Sequence, residues 1–141
     1  MDISAALAQE WTTLQNNFER YEGGALIAKL TALVLFFAGW AMALEPWLVC
    51  LVLLVVWLQE GIFKTWQSRL GERLLQVERL IAADAALQGH PVPFQLHSAW
   101  LAQRKGGVAL LLEYGASACR PTVAFPYAAL VLLELVLFLL G

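Results

Sequence analysis

The chain has 141 residues, of which 60% are hydrophobic and only 14% are charged, whereas ordinary globular domains are roughly half apolar and a quarter charged. Its formal net charge is −2, and it has no basic tract that could neutralise a series of phosphates, so composition argues against nucleic acid as a partner. The apolar residues are concentrated in long, nearly uncharged runs, which are rare among buried helices of soluble proteins. We therefore predict an all-α integral membrane protein with room for one compact domain.

Residues 1–24 have the pattern of an amphipathic helix. Apolar side chains recur at spacings of three and four, which places them in one stripe opposite a polar face. Gly23-Gly24 follows and predicts a break. This helix either packs on the rest of the protein or lies at the membrane surface, where its aromatic residues would suit the interface. The stripe consists of Leu7, Trp11, Leu14, Phe18 and Tyr21.

The next segment, residues 25–63, is long enough to cross a membrane twice. A single helix of these 39 residues would extend about 58 Å, while the hydrocarbon core of a bilayer is about 30 Å thick. Glu45-Pro46 lies almost at its centre, and proline is well tolerated at the first position of a helix. We predict a transmembrane hairpin with helices at residues 25–44 and 47–63.

Polar side chains gather where the predicted spans meet the membrane boundary. Lys29, near the start of the first span, and Glu60, near the end of the second, fall at the same membrane face, which favours the hairpin. This boundary could form a docking surface or a lipid-headgroup site, or its segments could simply satisfy one another. The predicted polar cluster consists of Gln59, Glu60, Lys64 and Arg120.

Residues 64–121 are expected to lie outside the membrane. The second helix changes from wholly apolar to amphipathic at residue 64 and should continue to about Leu87, before a proline-rich stretch ends it. Residues 108–114 are apolar but too few for periodicity to distinguish helix from strand. We expect protein, and specifically a partner, to cover the apolar stripe of this extension. That stripe consists of Trp66, Leu70, Leu74, Val77 and Ile81.

The last segment, residues 122–141, predicts a third transmembrane helix that contains one acidic residue. Glu134 lies seven residues before the C-terminus, about 10 Å inside the end of the helix. A carboxylate at that depth is costly, so we expect it to be protonated, paired or directed into protein. Glu134 is therefore the predicted intramembrane polar contact, and its ionisation state is left open.

The distribution of basic residues predicts the orientation. Seven of the nine Lys and Arg residues lie between the second and third predicted spans. The positive-inside rule places that segment in the cytoplasm. The hairpin then puts the N-terminus on the same side and the C-terminus on the opposite side of what we expect to be a bacterial inner membrane.

Motifs for catalysis or cofactor binding are lacking in the sequence. No nucleophile elbow, phosphate-binding loop or dinucleotide fingerprint occurs, so no cofactor is expected. His90 and His97 are seven residues apart, which is a weak metal signal because zinc ligands are usually paired more closely.

We expect a non-enzymatic accessory, scaffold or assembly subunit of a larger membrane complex. Membrane lipid and other membrane subunits, or further copies of the chain, would be its partners. One alternative is a component of a proton- or ion-coupled transporter or channel that uses Glu134. A further alternative is a membrane-bound enzyme acting on lipid headgroups through Glu60, His90, His97 or Glu113.

Overall fold

The computed structural model describes residues 3–84 and 106–140, and the elements in these ranges are four helices. They are α1, Ile3–Ala41; α2, Pro46–Asp84; α3, Gly107–Ala118; and α4, Pro121–Leu140. The described part of the chain contains no strand, so the all-α prediction is confirmed there. Helices α1, α2 and α4 are long and apolar enough to cross a membrane, whereas α3 is apolar but has only 12 residues.

A short turn folds α1 back against α2. The Leu44 N–H donates to the Gly39 carbonyl at 3.0 Å and the Ala43 N–H donates to the Trp40 carbonyl at 3.1 Å. These two bonds form a Schellman cap that ends α1, with Ala43 in the left-handed region at a φ of 51°. Pro46 is the first residue of α2, where its missing N–H leaves no helical hydrogen bond unmade.

Helix α1 runs without interruption through Gly23-Gly24, so the predicted break there is wrong. Two glycines cost an isolated helix about 1 kcal/mol each, but packing against a neighbour overrides such local preferences. Residues on both sides of Gly23-Gly24 are packed. Tyr21 makes an edge contact with Phe63 of α2, with 6.1 Å between ring centroids, and Ala25 is buried. Residues 3–24 are therefore not an element separate from the first apolar span.

The apolar segments of α1, α2 and α4 pack around a shared cluster. Close approach of α1 and α2 near the turn requires glycine, because a Cβ at Gly39 would lie 2.7 Å from Val49 Cγ2. The opposite faces are apolar and exposed, as at Val34, Val55 and Leu132, a pattern typical of helices surrounded by lipid. The buried cluster consists of Ala32, Phe36, Val49, Leu53, Tyr127 and Leu130.

Beyond these segments, the two long helices continue side by side as an extension formed by residues 3–22 of α1 and 64–84 of α2. A second apolar cluster joins them. The chain's own α1 therefore covers Leu74 and Val77, so these two members of the predicted stripe face α1 rather than a partner. Ile81, at the rim, stays 38% exposed. The buried members of the cluster are Leu7, Leu14, Leu74 and Val77.

Leu74→Ala should lower the free energy of unfolding by about 2–3 kcal/mol, because it removes buried contacts and leaves a cavity between the helices. Leu75 is the matched control, since it is next in sequence but 55% exposed, and Leu75→Ala should change stability by less than about 0.5 kcal/mol. Both values can be measured by denaturant titration in mixed micelles. Equal effects at the two positions would mean that α1 does not pack on α2 in the extension.

Helix α3 lies against α2 and turns sharply into α4 through Cys119 and Arg120. A Cβ added at Gly61 of α2 would lie 2.9 Å from Ala118 Cβ and 3.1 Å from the Tyr114 carbonyl oxygen. Glycine at this position is therefore what lets the end of α3 touch α2. The close contact brings the start of α4 beside Glu60, where three helices meet.

Candidate functional site

The side chain of Glu60 is fully buried between α1, α2 and α4. Lys29 of α1 forms a salt bridge with Glu60, with 2.9 Å between Nζ and Oε1. The angles of this contact are not those of a hydrogen bond. Tyr127 of α4 donates its hydroxyl to Glu60 Oε2 at 2.7 Å. A buried carboxylate is tolerated only when it is paired in this way. Glu60 therefore connects three helices through one side chain.

Further polar contacts surround this carboxylate. The Trp57 ring stacks on Tyr127, with 6.0 Å between ring centroids, and its indole N–H donates to the Ala118 carbonyl at 2.8 Å. One turn beyond Gly61, Thr65 Oγ1 lies 2.8 Å from Ser117 Oγ. These contacts fasten both α3 and α4 to α2. We call the set the boundary junction: Lys29, Trp57, Glu60, Thr65, Ser117 and Tyr127.

The extension carries a second buried charge pair. Arg73 of α2 places Nη2 2.8 Å from Glu10 Oε1 of α1, and its Nε donates to the same oxygen at 2.9 Å. The two side chains are only 8% and 5% exposed. A third pair, Arg69 with Glu113 at 3.1 Å, joins α2 to α3. These two ion pairs thus join α2 to α1 and to α3.

The members of the predicted polar cluster differ in burial. Glu60 is directed into the helix bundle, whereas Gln59 and Arg120 are exposed. Lys64 is half-buried and donates to Gln67 Oε1 at 2.8 Å along its own helix.

Glu134 lies on the inner face of α4 and is only 6% exposed. It is seven residues beyond Tyr127, about 10 Å farther along the helix. Its Oε2 has no hydrogen-bond partner among the described residues. This carboxyl group therefore faces another helix of the same chain rather than an outside partner.

The role of Tyr127 was missed at the level of sequence, although a signal was present. Val123, Tyr127, Leu130 and Glu134 are the buried residues of α4, and their spacings of four, three and four define one helix face. Because that face contains both Tyr127 and Glu134, it could have been recognised as the packed side.

Of the four residues proposed for catalysis, the structure describes Glu60 and Glu113. Glu60 and Glu113 belong to separate ion pairs, and His90 and His97 lie outside the described residues. No group of three or more potential metal ligands occurs in residues 3–84 and 106–140. The boundary junction can hold helices in register, but it presents no free nucleophile or paired carboxylates to a substrate.

Two shallow grooves flank Gly23-Gly24 near the boundary junction. The first has a volume of about 380 Å³ and is lined by Asn17, Arg20, Tyr21, Gly24 and Phe63. The second has a volume of about 320 Å³ and is lined by Glu22, Gly23, Ala25, Leu26, Lys29 and Lys64. We call the second one the lysine groove, since two lysines from different helices line it.

Comparisons with protein-family models, with curated proteins and with solved structures find no match for this chain. Function is therefore inferred from the side chains of the boundary junction and the surfaces around it.

Proposed function

We propose that the chain is an integral membrane protein that acts as a non-enzymatic assembly or scaffold subunit of a membrane complex. Helices α1, α2 and α4 would cross the bilayer, and the extension with α3 would lie in the cytoplasm. All nine Lys and Arg residues belong to residues 20–29 or 64–120, and none to the turn or to α4. The positive-inside rule supports this orientation, and we propose the bacterial inner membrane as its location.

Cysteine accessibility tests this topology. Cys119, at the corner between α3 and α4, is exposed and reports the proposed cytoplasmic side. Glu45→Cys would report the turn, after Cys50→Ala and Cys119→Ala remove the native thiols. In intact cells a membrane-impermeant maleimide should label Glu45→Cys and miss native Cys119 in a Cys50→Ala background. Both should react after solubilisation. Reversed labelling would contradict the orientation, and labelling of both in intact cells would contradict the spans.

An exposed apolar ridge on α3 is the observation that carries the proposed assembly role. Val108, Leu111 and Leu112 are 75%, 67% and 69% exposed, and no described residue covers them. The Arg69–Glu113 pair places this part of α3 beside Arg69 of α2. Arg69 is nine residues past Glu60 and therefore lies about 14 Å farther than Glu60 from the proposed membrane core. Acyl chains would not reach that level, and exposed apolar patches of this kind mark protein interaction sites.

Site-specific photocrosslinking tests the ridge. A photoreactive residue at Leu111 should form an adduct with another protein chain in membranes, whereas one at Asn16, exposed on α1, should not. The double variant Leu111→Ser, Leu112→Ser should reduce co-purification in mild detergent without lowering the melting temperature. Mass spectrometry would identify the partner or a second copy of the chain. If the wild-type protein purifies as a monomer and gives no adduct, the assembly role is wrong.

Glu134 supports a second candidate function, as a component of a proton- or ion-coupled transporter or channel. Its Oε2 is buried without a hydrogen-bond partner inside a bundle of apolar helices, and ionisable groups in such places mark ion pathways. Purified protein in liposomes should then conduct protons or cations, and Glu134→Gln should abolish the flux. Flux no greater than in empty liposomes would exclude this function for the chain alone.

A further inference from the structure

The lysine groove lies where the surface of α1 changes from polar to apolar. Glu22 lies on the side of the groove nearer the extension, and it is exposed. Leu26, on the other side, is 58% exposed and begins the apolar surface of the span. A membrane phospholipid has the same order of groups, since its charged headgroup is followed by acyl chains.

Two lysines from different helices line this groove. Lys29 contacts Glu60 behind the groove, yet its side chain remains 28% exposed. Lys64 is oriented by its hydrogen bond to Gln67. Each ammonium group has three N–H donors, so both can bind a phosphate oxygen while they keep these contacts. Glu22 adds one carboxylate at the rim of the groove.

Gly23 forms part of the groove wall without any packing reason to be glycine. A Cβ at Gly23 would have no neighbour within 4 Å, unlike one at Gly61, which would collide with α3. Glycine weakens a helix interior, and α1 is continuous at this point. Close approach of a bound molecule to the helix backbone is a recognised reason for such a glycine.

We propose that the lysine groove binds a phospholipid headgroup that carries a primary ammonium beside its phosphate. The phosphate lies between Lys29 and Lys64, the ammonium group faces Glu22, and an acyl chain follows Leu26 along α1. The groove contains both signs of charge, which matches a zwitterionic headgroup better than an anionic one. The inference rests on the proposed membrane placement and does not depend on the assembly role.

Native mass spectrometry of delipidated protein in detergent tests the inference. Phosphatidylethanolamine should give one retained adduct. Lys64→Gln and Gly23→Leu should each weaken its binding by about tenfold or more. Gly23→Leu fills open space and removes a helix-weakening glycine, so its melting temperature should be no lower than that of the wild type. Arg79→Gln is the control, because Arg79 is an exposed cation on the same helix but outside the groove.

Three outcomes would overturn the inference. Equal or tighter binding of phosphatidylglycerol would contradict the role of Glu22 and the ammonium group. Displacement of the lipid by millimolar inorganic phosphate would show a site for free phosphate. Unchanged binding in both groove variants would place the lipid elsewhere. The topology experiment is independent of all three, so failure of the membrane placement can be distinguished from failure of the lipid site.

Discussion

Arg73→Met should lower the free energy of unfolding by about 3–5 kcal/mol, the cost typical of removing one partner from a buried ion pair. The substitution removes the guanidinium group from Glu10, whose side chain is only 5% exposed. Methionine retains most of the side-chain volume, so the loss measures charge rather than a cavity. Denaturant titration in mixed micelles, followed by tryptophan fluorescence, would give the value.

Two controls separate the ion pair from a general effect of arginine. Arg79 is exposed, so Arg79→Met should change stability by less than about 0.5 kcal/mol. The double variant Glu10→Met, Arg73→Met should regain most of the lost stability, because apolar pairs often replace buried ion pairs at little cost. If the double variant is as unstable as Arg73→Met alone, the stranded carboxylate is not the cause.

Glu60→Leu should destabilise the bundle by about 3 kcal/mol or more. Tyr127 is fully buried, and in this variant its hydroxyl has lost its hydrogen-bond acceptor. Lys29 has also lost its counter-ion. Glu60→Gln should cost less, about 1–3 kcal/mol, because the amide oxygen can still accept the hydrogen bond from Tyr127. Both values follow from the same titration in micelles.

The neighbouring Gln59 is the matched control for these variants. It is exposed, and Gln59→Leu should leave stability unchanged within about 0.5 kcal/mol. A cost for Glu60→Gln equal to that for Glu60→Leu would mean that the charge of Glu60 beside Lys29 of α1, rather than its hydrogen bond to Tyr127 of α4, accounts for the stabilisation.

Local chemistry made the start of α2 predictable from sequence. Pro46 is favoured at the first position of a helix and disfavoured in its interior, so the place of the turn does not depend on distant contacts. The proximity of Lys29 and Glu60 could be predicted from their similar distance along the chain from the turn, because residues equally far from a tight turn lie side by side in a hairpin. Their direct pairing could not be deduced, since depth does not define which helix faces meet.

Other features depend on packing that periodicity does not describe. The pattern around Leu74 predicts a buried face but not what covers it, and the cover is α1 of the same chain. The contact between Glu10 and Arg73 depends on the register of two long helices, in which a shift of one turn would pair different residues. At Gly23-Gly24 the local preference for a break was outweighed by contacts that flank the pair.

The continuity of α1 and α2 has a mechanical consequence. Each helix has 39 residues and is therefore about 58 Å long, and neither is interrupted between the extension and the turn. A force applied to the extension would therefore tilt each helix as a whole, because neither helix has a hinge at the proposed bilayer surface. If the end of the extension moves sideways, the turn at the other end should move in the opposite direction. The boundary junction would lie near the pivot of this motion.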